Sequence, residues 1–150
     1  MIILKNTQRS IKLDLKTIKH DAQKILDILD YADFDLGIWC TTNATIRTYN
    51  KKFRNKDKPT DILSFPFHTE LKAGQRIAPL SPDDKNLGDL ILSPSYIHND
   101  APRYNLTLEE RIRVLLVHGV CHLLGYDHLD DRDYKVMHKK EQELLKKLGK

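Results

Sequence analysis

Long apolar runs are missing from this chain. No stretch of about 18 consecutive apolar residues occurs, so no segment reads as a membrane span. Cysteine is scarce. Cys40 and Cys121 make no disulfide framework, and a reducing compartment suits them. The opening Met1-Ile2-Ile3-Leu4-Lys5 reaches Asn6 and Thr7 too soon for a signal peptide. Internal repeats and low-complexity tracts are absent as well. Excess charge is small: 25 Lys and Arg against 21 acids, a net of +4, which is compatible with an anionic partner and does not require one. What remains is a chain of 150 residues, 40% hydrophobic and 31% charged. That describes one globular domain over 1–150, large enough to bury a core.

The apolar periodicity supplies a coarse element order. Ile2, Leu4, Ile11 and Leu13 alternate loosely and predict one or two short strands before residue 14. Ile18, Ala22, Ile25, Leu26 and Leu29 repeat at helical spacing between Leu15 and Tyr31. Phe34, Leu36, Ile38 and Cys40 alternate as a strand. Asn43 is placed to cap a short helix bearing Ile46, Tyr49 and Phe53. Ile62–Phe67 reads as a strand that Pro66 confines to an edge or an end. Thr69 to Asn86, with Gly74, Pro79, Pro82, Asp83 and Asp84, reads as a long mobile loop, and Leu87–Leu92 as a strand. Ser93-Pro94 has the form of a cap followed by proline in the first helical turn. Thr107 and Glu110 form a capping box for a helix apolar nearly all round, the expected buried spine. Asp131 to Leu148 predicts a last amphipathic helix with Tyr134, Met137, Leu144, Leu145 and Leu148 inward. The expectation is an α+β fold: a small mixed β-sheet packed with several helices around a central histidine-bearing helix.

That central helix carries the chemistry. His118 and His122 are four residues apart and so share one helix face. Gly125 can take a left-handed turn and end the helix, which lets His128 double back toward them. Three imidazoles with a fourth position open suit a catalytic zinc, whereas a structural site fills all four positions, commonly with cysteine. The spacing follows the zinc-protease pattern H-E-x-x-H-x-x-G-x-x-H, with Gly119 in the glutamate position. That glutamate is the general base of peptide hydrolysis, so a metzincin-like metalloprotease without its base is the poorer reading. A metal held there lowers the pKa of water from 15.7 to about 7. Cys121 is either a competing ligand or a small buried core residue. Asp127 either accepts the N–H of a ligand imidazole or bonds its own turn backbone. His20, His68, His98 and His138 read as ordinary surface histidines.

A second stretch is basic. Arg47, Lys51, Lys52, Arg54, Lys56 and Lys58 stand against one acid, Asp57. Tyr49 and Phe53 lie among them and could stack bases. A solvated helix face with an aromatic pair in the core is the bland alternative. Beside a hydrolytic metal, a guanidinium can orient a phosphate and neutralise its transition-state charge. Arg54, followed by Pro59-Thr60-Asp61, is the candidate.

These residues together resemble the YbeY family of metal-dependent endoribonucleases. The resemblance rests on His118-Gly119-x-x-His122-Leu123-x-Gly125-x-Asp127-His128, on Arg54 with Lys58-Pro59-Thr60-Asp61-Ile62-Leu63-Ser64-Phe65-Pro66, and on Leu87-Gly88-Asp89-Leu90. It implies a zincin-like α+β domain with one zinc ion on His118, His122 and His128. It implies single-stranded RNA as substrate, in 3′-end maturation of small-subunit (16S) ribosomal RNA and in ribosome quality control, with the small subunit and its assembly factors as partners. Arg54 and His118 match the family's catalytic positions, and neither DNA nor a membrane is expected. A non-catalytic ribosome-binding module with a structural metal is the other alternative. No Arg- and Ser-rich transit segment is visible, so the expectation is bacterial cytoplasm. Where the proton goes without a carboxylate at 119 stays open between a substrate oxygen, bulk water and Asp127.

Overall fold

The computed structural model describes residues 1–149. Four strands form one sheet in the order β1-β2-β4-β3: β1 (Ile2–Asn6), β2 (Asp35–Cys40), β3 (Ile62–Pro66) and β4 (Asn86–Leu92). The first three neighbours run parallel and β3 pairs antiparallel with β4 at the sheet's edge. Pro66 therefore sits at the end of an edge strand, where a missing N–H costs no ladder bond.

Five α-helices join the sheet: α1 (Leu15–Ile28), α2 (Asn43–Arg54), α3 (Pro94–Asp100), α4 (Leu108–Leu123) and α5 (Asp131–Gly149). The pleat separates the two sheet faces. Ile38, Leu90 and Ser64 lie in register on one face, with α4 behind them. The main core fills this layer, joining Leu36, Ile38, Leu90 and Leu92 to Ile25 and Leu26 of α1, to Leu116 and Val120 of α4, and to Met137 and Leu144 of α5. The other face carries α2 and a smaller cluster of Ile46, Leu63 and Ile91.

Several local expectations are met and others corrected. The Thr107–Glu110 capping box opens α4, its two reciprocal bonds being 3.2 and 2.9 Å. Only Ile2–Asn6 of the first fourteen residues is a strand. The Gln8 side chain bonds Asn6 and both backbone groups of Ile11, holding that segment as a folded loop. Thr42, not Asn43, caps α2, accepting from the Thr45 N–H; Asn43 instead accepts a hydrogen bond from Ser93. Tyr134 is 56% exposed rather than inward, stacked on His138 one turn away.

The Thr69–Asn86 connection is pinned, not a free linker. Ile77 is buried and its N–H donates to the Tyr31 hydroxyl at 3.1 Å. Arg76 donates to the carbonyls of Leu29 and Asp30 and lies 4.1 Å over the Tyr31 ring.

Candidate metal centre

The end of α4 builds the site by backbone hydrogen bonding. Gly125, at φ +92°, donates its N–H to the His122 carbonyl at 3.0 Å, and Tyr126 donates to Cys121 at 3.1 Å. Those two bonds make a Schellman turn, which requires the left-handed residue glycine adopts without strain. A Cβ at Gly125 would also lie 2.3 Å from the Leu71 carbonyl oxygen, so the turn and the Thr69–Asn86 connection fit only around a bare Cα. The reversal brings the Tyr126 carbonyl within 2.9 Å of His122 Nδ1. His128 then returns to the other two rings, its centroid 5.2 Å from His122 and 6.0 Å from His118. One ligand atom from each of His118, His122 and His128 lies within 4.8 Å of the others.

The ring tautomers follow from the outer partners. A carbonyl only accepts, so His122 Nδ1 carries the hydrogen given to Tyr126. His118 Nδ1 lies 2.5 Å from Glu141 Oε2 of α5, and a carboxylate likewise takes the hydrogen. Both Nε2 atoms therefore present lone pairs, and they face each other at 3.1 Å. Two lone pairs so close call for a shared proton or a metal ion, and His128, whose ligand atom lies within 4.8 Å of both, points to the ion. A four-coordinate zinc with Zn–N near 2.0–2.1 Å sets its ligands about 3.3 Å apart. The donor set fits such an ion. Burial, with the neighbouring His118 adding to it, lowers the His122 pKa to about 4, so this ring stays neutral and able to ligate at physiological pH.

Gly119 has a structural reason. A Cβ there would meet methyl groups of Leu90 and Ile62 at 2.8 and 2.9 Å, so α4 lies directly on the sheet at this point. The glutamate of the protease pattern would fit only if the Leu90 and Ile62 side chains moved aside. Of the two roles open to Asp127, the turn is the one observed: Oδ1 accepts from the His128 N–H at 2.8 Å. The carboxylate that orients a candidate ligand is Glu141. Cys121 is wholly buried in the core, its thiol pushed up to about 12 chiefly by burial, and it stands apart from the three histidines.

Arg54 reaches the same place from α2. Its guanidinium donates to the Ser64 carbonyl at 3.3 Å across the sheet edge. Asn55, left-handed at φ 59°, ends the helix there. Arg54, Ser64, His122, Asp127 and His128 line one cleft of about 340 Å³. His68 lines it too, with Nε2 held at 2.8 Å by the Asp84 carbonyl, so it is not the plain surface histidine expected. The other cations stay outside. Arg47 is paired with Asp57 at 2.8 Å, with Lys51 at 4.0 Å, and these line a separate depression with Lys52. Lys56 and Lys58 are exposed in the turn after α2.

Glu141, Ser64 and His68 are the residues that sequence reasoning misses. Glu141 sits in a charged run with no local mark of its role, and is tied to His118 only by the docking of α5 on α4. Ser64 contributes a backbone oxygen, which no side-chain pattern reveals.

Comparison with known proteins places the chain by its sequence and its fold. A family model described as "Endoribonuclease YbeY" matches residues 3–149. A human protein named Endoribonuclease YbeY is 38% identical over 149 residues, covering 99% of this chain and 89% of that one. One of the same name from Sulfurihydrogenibium sp. (strain YO3AOP1) is 37% identical over 148 residues, covering 98% and 91%. The solution structure of a Thermotoga maritima protein superposes with a TM-score of 0.64 at 23% identity, over 99% of this chain and 89% of the other, a likeness of fold.

Proposed function

Because the chain belongs to the YbeY endoribonuclease family, we propose that it cleaves single-stranded RNA at the cleft between α4 and β3, with one zinc ion on His118, His122 and His128. The observation that carries the reading is the convergence of the His118, His122 and His128 ligand atoms, with His122 and His128 lining one cleft with Arg54. Such an ion, when bound, supplies Lewis acidity and acidifies water within its reach.

The chain's own residues do the rest. Glu141 and the Tyr126 carbonyl fix the two α4 rings so that their Nε2 atoms converge. Arg54, steadied by the Ser64 carbonyl, places a guanidinium where a phosphodiester's developing charge falls. With position 119 closed by Leu90 and Ile62, no carboxylate stands there to take the proton. Asp127 lines the cleft with Oδ1 bonded to the His128 N–H, so the groups open to the proton are the Asp127 carboxylate, a substrate oxygen and solvent. The biological role we infer is 3′-end maturation of 16S ribosomal RNA and ribosome quality control, with the small subunit and its assembly factors as partners, in bacterial cytoplasm. The likeness to named endoribonucleases over nearly the whole chain supports the RNA cleavage on which this role is built.

The test measures metal content together with cleavage of single-stranded RNA, with and without chelator. Metal-dependent cleavage that His118→Ala abolishes is expected. Equal cleavage by that variant would assign the activity to a contaminant. A cyclic phosphate at the product end would show that the ribose 2′-OH, not water, attacks.

A further inference from the structure

The sheet face away from the histidines carries a second cleft. Two cross-strand rows form its floor: Ile3–Gly37–Asp89–Phe65 and Lys5–Trp39–Ile91–Leu63. Tyr49 and Phe53 of α2 close one side, and the groove measures about 390 Å³. Gly37 leaves space in the floor that the Asp89 carboxylate fills, between largely apolar walls. Four rings follow one another along it. Trp39 meets Tyr49 edge-on at 5.6 Å, Tyr49 stacks with Phe53 at 6.1 Å, and Phe53 meets Phe65 edge-on at 5.2 Å. Lys5 lies 5.0 Å over Trp39 and Lys52 lies 5.3 Å from the Phe53 ring. Phe53 is 55% exposed, more than packing α2 onto the sheet requires.

Aromatic faces flanked by cations are what an unpaired nucleic-acid strand needs: rings for its bases and ammonium groups for its phosphates. The groove is also joined to the metal cleft. Phe53 and Arg54 are consecutive at the end of α2, and Ser64 and Phe65 are consecutive on edge strand β3. In each pair one member lines the groove and the other the cleft. Phe67, 49% exposed, lies 5.1 Å from the ring of His68, which lines the cleft. An apolar peptide would use the rings but not the cations, so the charge favours RNA. The one acid, Asp89, leans over Gly37. There it can accept from base N–H groups, as acids do with cytosine N4.

We propose that this groove binds unpaired bases of the RNA strand flanking the phosphate held at Arg54, the strand crossing the β3 edge between the two clefts. This rests on the endoribonuclease reading. It adds a binding surface on the opposite sheet face and accounts for single-strand preference, because bases paired in a duplex cannot lie on Trp39 and Phe53.

Trp39 is the chain's only tryptophan, so its emission reports on the groove directly. Metal-loaded protein is titrated with a short single-stranded RNA and with an abasic strand of equal length. Saturable quenching by the RNA and not by the abasic strand is expected. Phe53→Ala should weaken RNA binding about 5- to 100-fold. Lys5→Gln with Lys52→Gln, both at exposed positions, should flatten the salt dependence of binding without loss of melting temperature. Unchanged Trp39 emission while RNA is bound and cleaved would overturn the groove proposal and leave the endoribonuclease reading standing. Absence of any cleavage would strike that reading instead. Emission that changes with protein concentration alone would assign the groove to a second copy of the chain and overturn the proposal.

Discussion

At single residues the site depends on who holds each imidazole. Glu141 keeps the hydrogen of His118 on Nδ1. Glu141→Gln keeps the shape and removes the charge, and should weaken metal affinity about 10- to 100-fold, read by competition with a chelating dye. Arg54 is exposed and bonded to one carbonyl. Arg54→Ala should therefore lower the cleavage rate about 10²- to 10³-fold while melting temperature and metal content stay put. A loss of folding would mark it as structural. Arg54→Lys should restore little, because an ammonium lacks the planar fork. His122 has its pKa lowered to about 4 by burial first and by His118 second, from an ordinary 6.5. Between those values the unfolded chain binds a proton that the folded one refuses. The stability of the metal-free protein should thus fall as pH drops from about 6.5 toward 4. His122→Gln should flatten that dependence in denaturant titrations.

The elements carry the constraints that make those contacts possible. α4 starts on a reciprocal cap and ends on a Schellman turn, and the three histidines are spaced around that end. Gly125→Ala forces a Cβ into the left-handed region, about 1–2 kcal/mol, and toward the Leu71 carbonyl as well. It should lower both melting temperature and metal affinity, since the same turn delivers His128. Normal metal binding by the Gly125→Ala variant would show that His128 is not delivered by this turn. The helix spacing and the glycine are legible because both are local: residues four apart share a face in any α-helix. Periodicity misreads the first segment as further strand because Gln8 organises it through side-chain bonds that apolar spacing does not register. Spacing alone places Tyr134 inward, yet α5 turns it to solvent beside His138.

Across the whole molecule, one ion should couple folding to loading. Zinc at 100 times its Kd adds about 2.7 kcal/mol, which for a domain of this size raises the melting temperature by about 5–11 °C. Chelator should reverse the shift, and no shift in either direction would argue against a site formed in the native state. From its residues alone the chain determined the helix that bears the histidines, the glycine that ends it and the absence of a carboxylate at 119. Those depend on geometry within one or two turns of backbone. Only the tertiary structure decided that Glu141 supports His118 from 23 positions away, that Arg54 crosses the β3 edge to Ser64, that Leu90 and Ile62 close the space above Gly119, and that four rings line the opposite face. Each of these relations depends on how one element packs on another, and packing distances between elements are not written in the spacing of any single one.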